Sequence, residues 1–280
     1  MRHFNPFITV VLSLAVLAGC ASTASKSAVS ATPKVEPKMV EVKVWKPQTV
    51  VTSYSDGVVS AVNGFQYDAK GNALKEEQFN GKKILESQKT YADKGDGTVE
   101  IVTLNRSGDV LGKALRGLKD GLIIRETQMN PKGETQSTEE YAYDAAGNKI
   151  RWTVKTAAGN QISTDYTWLN GVLVGAVVSD AGKNRIKRFA RTYDEAGLLT
   201  SEEEYDAKDV LAGKIVYVRD GAFVTREEKQ SPTGAVLSSI QYKNDADGNP
   251  LEIRELDRTG RVIQVKSLIW QVFTHSEVAK

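Results

Sequence analysis

The chain has 280 residues, with 37 Lys+Arg against 35 Asp+Glu and a formal net charge of +2. Its apolar share of 40% excludes an acidic disordered chain, and the near-neutral balance excludes a strongly basic nucleic-acid binder, so no nucleic-acid partner is expected. A single Cys rules out an internal disulfide, and two His, His3 and His275, leave little room for His-based catalysis or a His-rich metal site.

The first element is an address. Arg2 and His3 precede a mostly apolar run from Phe7 to Ala18, which reads as a secretory signal. The run is shorter than the about twenty residues needed to span a bilayer. It ends in Leu17-Ala18-Gly19-Cys20, with small residues before the cut. This segment resembles the lipobox of bacterial lipoproteins. The resemblance implies that 1–19 is a removed signal peptide and that Cys20 is the lipidation site and mature N-terminus. It also implies that the membrane is a partner through the anchor. Two or three acyl chains, at about 0.8 kcal/mol per buried methylene, make that anchor stable. Ala21 stands where an Asp would signal inner-membrane retention in this family, which implies a periplasm-facing protein on the outer membrane.

Residues 20–46 read as a flexible tether. Their first half is Ser, Ala and Thr with Lys and Pro, without a period of 2 or 3.6, and cannot bury enough apolar surface to offset ordering. The body, 47–280, then carries a net charge of −2.

Turn signals punctuate the body at intervals of mostly 11–14 residues, among them Gly71, Asn80-Gly81, Gly108, Asp120-Gly121, Gly147, Asn170-Gly171, Gly182, Gly197 and Asp209. Subtracting about four turn residues leaves strands of about eight. Regular turns at this spacing predict an all-β antiparallel meander with almost no helix. A longer period lies above the first: Gly97, Gly147, Gly197 and Gly248 are 50, 50 and 51 apart. The predicted unit is therefore four strands and about 50 residues. Between turns the residues alternate, as in Ile150, Trp152 and Val154 against Arg151, Thr153 and Lys155, which predicts one packed and one wet face. Segments 172–178 and 262–270 are apolar on both faces and are expected to be covered on both sides. The second reads as a terminal cap anchored by Trp270.

The turns Tyr67-Asp68-Ala69-Lys70-Gly71-Asn72, Tyr143-Asp144-Ala145-Ala146-Gly147-Asn148 and Tyr193-Asp194-Glu195-Ala196-Gly197-Leu198 resemble the Tyr-Asp turn of RHS/YD-repeat proteins. The resemblance spans most of 65–261. It implies a curved or rolled antiparallel sheet of such repeats.

Catalytic chemistry finds little support. Asp245-Ala246-Asp247-Gly248 resembles part of a calcium loop, but Lys243 and Arg254 hold the positions that need acids. No Gly-x-Ser-x-Gly or phosphate loop occurs, and neither an enzyme activity nor a cofactor or metal is expected. Trp152, Tyr166 and Trp168 are the candidate ligand platform, set against the alternative that they are core. The expected function is a non-enzymatic scaffold or protein-interaction module of the cell envelope, whose partners meet a sheet edge by strand addition, and an envelope protein or glycan is the expected partner. The rival is a periplasmic protein that binds glycan, peptide or lipid on a concave aromatic face.

Overall fold

The turns build the hairpins. Asp68 N donates to Asn72 O at 2.9 Å and Gly71 N donates back to Asp68 O at 3.0 Å. The Asp68 carboxylate accepts from the amides of Lys70 and Asn72, both at 2.8 Å. The same loop recurs at Asp144, where Gly147 has φ +84° with nothing within 4 Å of the place a Cβ would take. Glycine serves the left-handed backbone there and not a need for space. Two of the Asn/Asp-Gly pairs, Asp120-Gly121 and Asn170-Gly171, have positive φ at both residues, as a two-residue hairpin turn requires. Asn80-Gly81 and Gly182 differ from expectation, because Lys83 (φ 59°) and Lys183 (φ 64°) take the left-handed slot. Gly81 and Gly182 instead make room: a Cβ would lie 1.9 Å from Val59 O and 2.9 Å from Asn184 Nδ2 respectively.

The structure, a computed structural model, describes residues 39–278; Cys20 and the signal segment lie outside the described residues. One compact unit spans Glu41–Ser276, and the second, Met1–Val40 with Glu277–Lys280, is almost wholly outside them. The strands are β1 (Met39–Tyr54), β2 (Val59–Tyr67), β3 (Ala73–Asn80), β4 (Leu85–Asp93), β5 (Thr98–Asn105) and β6 (Val110–Lys119). Then come β7 (Leu122–Met129), β8 (Thr135–Tyr143), β9 (Lys149–Thr156), β10 (Gln161–Leu169), β11 (Val172–Asp180) and β12 (Arg185–Tyr193). The last are β13 (Leu199–Asp206), β14 (Leu211–Asp220), β15 (Phe223–Gln230), β16 (Val236–Asn244), β17 (Pro250–Asp257) and β18 (Val262–Val278). β1 takes in Met39–Lys46 of the segment read as tether.

Each strand pairs antiparallel with the next, and β1 also pairs with β18, so the sheet closes into an 18-stranded barrel. This corrects the curved or rolled YD-repeat sheet. The alternating hairpins are as expected, but the first and last strands satisfy each other's edge groups. Closure removes the free edges along the barrel wall, while β1 runs beyond its ladder with β2, which begins at Thr49, and β18 beyond its ladder with β17, which ends at Ser267. It also corrects the cap: 262–270 belongs to a seam strand paired on both sides. Nor are the two apolar segments covered on both faces, since Val172, Ile263 and Ile269 are 36%, 45% and 57% exposed.

Eighteen strands enclose a lumen too wide for side chains to fill. Accordingly, no large side chain among the described residues is fully buried, and the buried apolar residues Ile101, Ala114, Ala176, Leu256 and Phe273 are dispersed around the wall. The wall is one sheet thick, and most of its described residues are only part-buried.

A side-chain row holds one end of this thin wall. Tyr143, Trp168, Tyr193, Arg219, Asn244 and Trp270 follow at steps of 25 or 26 residues. Each donates to a carbonyl on the preceding strand: Ile123, Lys149, Leu173, Leu199, Val224 and Pro250 in turn. Each of those carbonyls lies two residues beyond the last ladder pair with the donor's strand, for example Arg125↔Glu140 for Ile123. The donor supplies the bond that the ladder no longer makes, which offsets the cost of an unpaired backbone group. The hairpin of 25 residues is thus the smallest repeated unit. At the seam, Phe273 packs edge-on to Tyr67, centroids 5.4 Å apart, and is 8% exposed.

Candidate functional site

Register places a second row on one face of the wall. Tyr91, Arg116, Tyr141, Tyr166, Arg191, Tyr217 and Tyr242 also follow at steps of 25 or 26 residues. The odd strands contribute Glu76, Ile101, Glu126, Trp152, Ala176, Glu202 and Glu227 to the same face, through pairs such as Tyr91↔Ile101, Arg116↔Glu126, Tyr141↔Trp152 and Arg191↔Glu202. The result is a belt in which phenols and guanidinium groups are set beside the carboxylates of Glu76, Glu126, Glu202 and Glu227, with Ile101, Trp152 and Ala176 between them.

Burial pushes the Tyr91 and Tyr217 phenols up to about 12, and the neighbouring charges of Glu76 and Glu202 add to it. Tyr141 and Tyr242 are pushed up by the same causes, with Glu139 and Glu227 beside them. On the opposite face Tyr205 is also raised, but the leading cause there is its hydrogen bond to Glu203 at 2.6 Å. Inward side chains of a closed wall converge and outward ones diverge, and the stronger desolvation on the belt side is what an inward face would give.

The belt is densest on β8–β10. Glu139 Oε2 accepts from Tyr141 OH at 2.6 Å and from Trp152 Nε1 at 3.0 Å. Lys149 Nζ sits 4.9 Å from the Tyr166 ring centroid and 5.8 Å from that of Tyr141. Burial holds the Lys149 ammonium below its ordinary pKa, and Glu139 partly opposes this. Trp152 and Tyr166 are half-buried neighbours on one face, as a platform requires. Trp168 is not part of it: its indole is spent on Lys149 O at 2.9 Å in the end row. Glu139, Tyr141, Lys149 and Arg116 were not singled out from sequence, although the 25-residue step through Tyr91, Arg116 and Tyr141 carries the signal.

A polar recess of about 250 Å³ opens over β4–β8, lined by residues that include Lys89, Tyr91, Thr103, Arg116, Glu126 and Gln128. Arg116 Nε donates to Glu126 Oε2 at 2.7 Å, and Gln128 Nε2 to Glu126 Oε1 at 2.6 Å. Among the described residues, no three His, Cys, Asp or Glu side chains are placed to hold a metal ion.

No family model matches the chain, and no curated protein matches it. Solved structures similar to it include a porin-like protein from Bacteroides uniformis ATCC 8492, at 13% identity over 82% of this chain and 96% of that one, with a TM-score of 0.42. A porin-like protein from Bacteroides vulgatus ATCC 8482 is 12% identical over 80% of this chain and 98% of that one, with a TM-score of 0.40. A protein of unknown function from Bacteroides fragilis NCTC 9343 is 9% identical over 56% and 91%, with a TM-score of 0.20.

Proposed function

We propose that this chain is a non-enzymatic binding protein of the bacterial envelope, tethered by lipid on Cys20, which holds a glycan or peptide on the belt around Trp152 and Tyr166. The carrying observation is the cluster of two tyrosines, a tryptophan, Glu139 and Lys149 on one half-buried face. Aromatic faces with flanking polar groups suit the apolar and hydroxyl faces of sugars or the planes of peptides. Closure of the sheet confines strand addition to the ends of β1 and β18 that run past their ladders with β2 and β17, which favours the binding reading over the scaffold one.

The barrel stands beside the membrane, not in it. A membrane barrel needs an outward apolar band about 25 Å tall. Here both faces are charged at mid-strand: Arg191–Glu202 and Lys187–Glu204 on the belt face, Lys214–Glu203 and Arg254–Glu252 on the other. Cationic side chains facing lipid at mid-depth cost about 2–4 kcal/mol each.

The test is tryptophan fluorescence of the full-length, detergent-extracted protein titrated with muropeptides and chito-oligosaccharides. A saturable change that Tyr166→Ala weakens about tenfold is expected, as for a lost stacking contact. No saturable change with either ligand class would overturn the binding reading.

A further inference from the structure

The recess over β4–β8 is a site distinct from the Trp152 platform. We propose that it binds a monosaccharide-sized sugar acid, with the carboxylate on the Arg116 guanidinium and the hydroxyls on Tyr91, Thr103 and Gln128. This rests on the binding reading above and adds a ligand class to it.

Charge comes first. The two cations on the face of the recess each meet a carboxylate: Lys89 Nζ lies 3.6 Å from Glu76, and Arg116 donates to Glu126, while Lys113 alternates to the opposite face beside Glu100. The surrounding body, 47–280, is net −2. With the charges of the recess balanced, an incoming anion is held by the directional N–H groups of the guanidinium rather than by a net field.

Geometry comes second. Arg116 spends Nε on Glu126, its one side-chain hydrogen bond among the described residues. The terminal N–H groups of the fork are left for a planar, bidentate acceptor, which a carboxylate is. Tyr91 OH makes only a long contact to Glu76, 3.4 Å, and can be recruited by a ligand hydroxyl. The volume of about 250 Å³ lies below the range of about 300–1,000 Å³ for drug-sized ligands, and suits one sugar ring. The lining is too polar for a fatty acid.

An internal comparison comes third. Arg191–Glu202 reproduces Arg116–Glu126 at the same Nε–Oε2 distance of 2.7 Å, 75 residues further on. Gly112 and Ala114 of the recess are replaced there by Lys187 and Phe189, which stack at 4.9 Å. The ion pair alone is a device of the wall. The recess exists where small residues uncover it.

Isothermal titration of the full-length protein in detergent tests this, with D-glucuronate, D-glucose, acetate and inorganic phosphate as probes. Saturable glucuronate binding is expected, with glucose and acetate about tenfold weaker or more. Arg116→Gln is expected to weaken glucuronate binding about tenfold or more, as the loss of a charged hydrogen-bonding partner does. Thr103→Phe, which fills the recess, should abolish binding, while Arg191→Gln leaves it unchanged. If Arg116→Gln fails to give a β-sheet circular dichroism spectrum, Arg116→Lys, which keeps the charge and loses the fork, is expected to show the same loss. Absence of glucuronate binding overturns the proposal. So does equal binding of acetate or phosphate, which would mean an anion site without sugar recognition, or equal sensitivity to Arg191→Gln. If muropeptides or chito-oligosaccharides still perturb tryptophan fluorescence while glucuronate does not bind, the sugar-acid site falls and the binding reading stands; if nothing binds, both fall.

Discussion

The wall contains the same ion pair twice, once open and once filled. Over β4–β8, Arg116 and Glu126 border a recess floored by Gly112 and Ala114. Over β11–β14, Arg191 and Glu202 sit among Lys187, Phe189 and Glu204, and Lys187 reaches both the Phe189 ring and, at 3.4 Å, Glu204. Backbone register is the same in both, Arg opposite Glu on adjacent antiparallel strands. The end row also lapses beside the recess: Leu118 stands at the phase that holds Tyr143 and Trp168 elsewhere, and its amide bonds to Gly97 O instead. A repeated hairpin thus fixes the frame, and two side chains decide whether a given copy is wall or pocket.

Exchanging those side chains should move the pocket, with the largest effect on stability in the filled copy. Phe189→Ala removes a half-buried ring and is expected to cost about 2 kcal/mol, below the roughly 3–5 for a fully buried one, in urea denaturation. Ala114→Phe places a ring in the recess and should abolish glucuronate binding at a smaller stability cost, about 1 kcal/mol. If Ala114→Phe is the more destabilising of the two, the recess is not open space and the comparison collapses.

The next effect is on pH dependence, and it should be common to both copies. Tyr91 borders the recess and Tyr217 the filled copy, and both phenols are pushed up to about 12, first by burial and then by Glu76 or Glu202. An unfolded tyrosine loses its proton near pH 10. Between about 10 and 12 the unfolded chain therefore binds fewer protons, so stability falls as pH rises. The contribution is whole below pH 10 and lost on passing through about 12. Phenolate absorbance should show these tyrosines titrating late and together with loss of β-sheet signal. Titration near pH 10 with the fold intact would place the belt on the open side of the wall. At the acid end Asp257, held down to about 2 chiefly by its bond from Thr259, gives the opposite sign. Its share is present above about pH 4 and is lost as pH falls through about 2.

Much of the frame was legible in the sequence because turn chemistry is local. Asp68, Asp144 and Gly147 act within five residues of themselves, so their loops could be read one at a time. Closure was not legible. It depends on β1 meeting β18, more than 200 positions apart, and no local signal reports whether two terminal strands find each other or stay apart. Trp152 and Tyr166 were legible as aromatics on alternating strands, and the structure brings them together with Lys149 and Glu139. Trp168, two residues from Tyr166, looked the same in sequence but serves the end row, because the carbonyl it meets lies on the neighbouring strand. The recess was least legible. Gly112 and Ala114 carry no chemistry, and their importance lies in what they fail to fill.

The smallest effect returns to the two copies through their turns. The loop between β5 and β6 has Gly108 in the left-handed slot, φ +88°, with nothing within 4 Å of its would-be Cβ. The loop between β11 and β12, 75 residues on, has Lys183 there at φ 64°. Both loops close with the same bonds: Gly108 N to Asn105 O at 3.1 Å and Lys183 N to Asp180 O at 3.1 Å. Both residues take the left-handed backbone, and a non-glycine residue there carries a penalty of about 1 kcal/mol. Part of that is offset because glycine loses more freedom on folding. Lys183→Gly is therefore expected to raise the melting temperature by about 2 °C, and Gly108→Lys to lower it by a similar amount. Asn at either site should fall between, since its side chain tolerates the left-handed region. If Lys183→Gly is destabilising, the lysine side chain holds the turn through contacts that the backbone comparison does not contain, and the two loops are equivalent in shape alone.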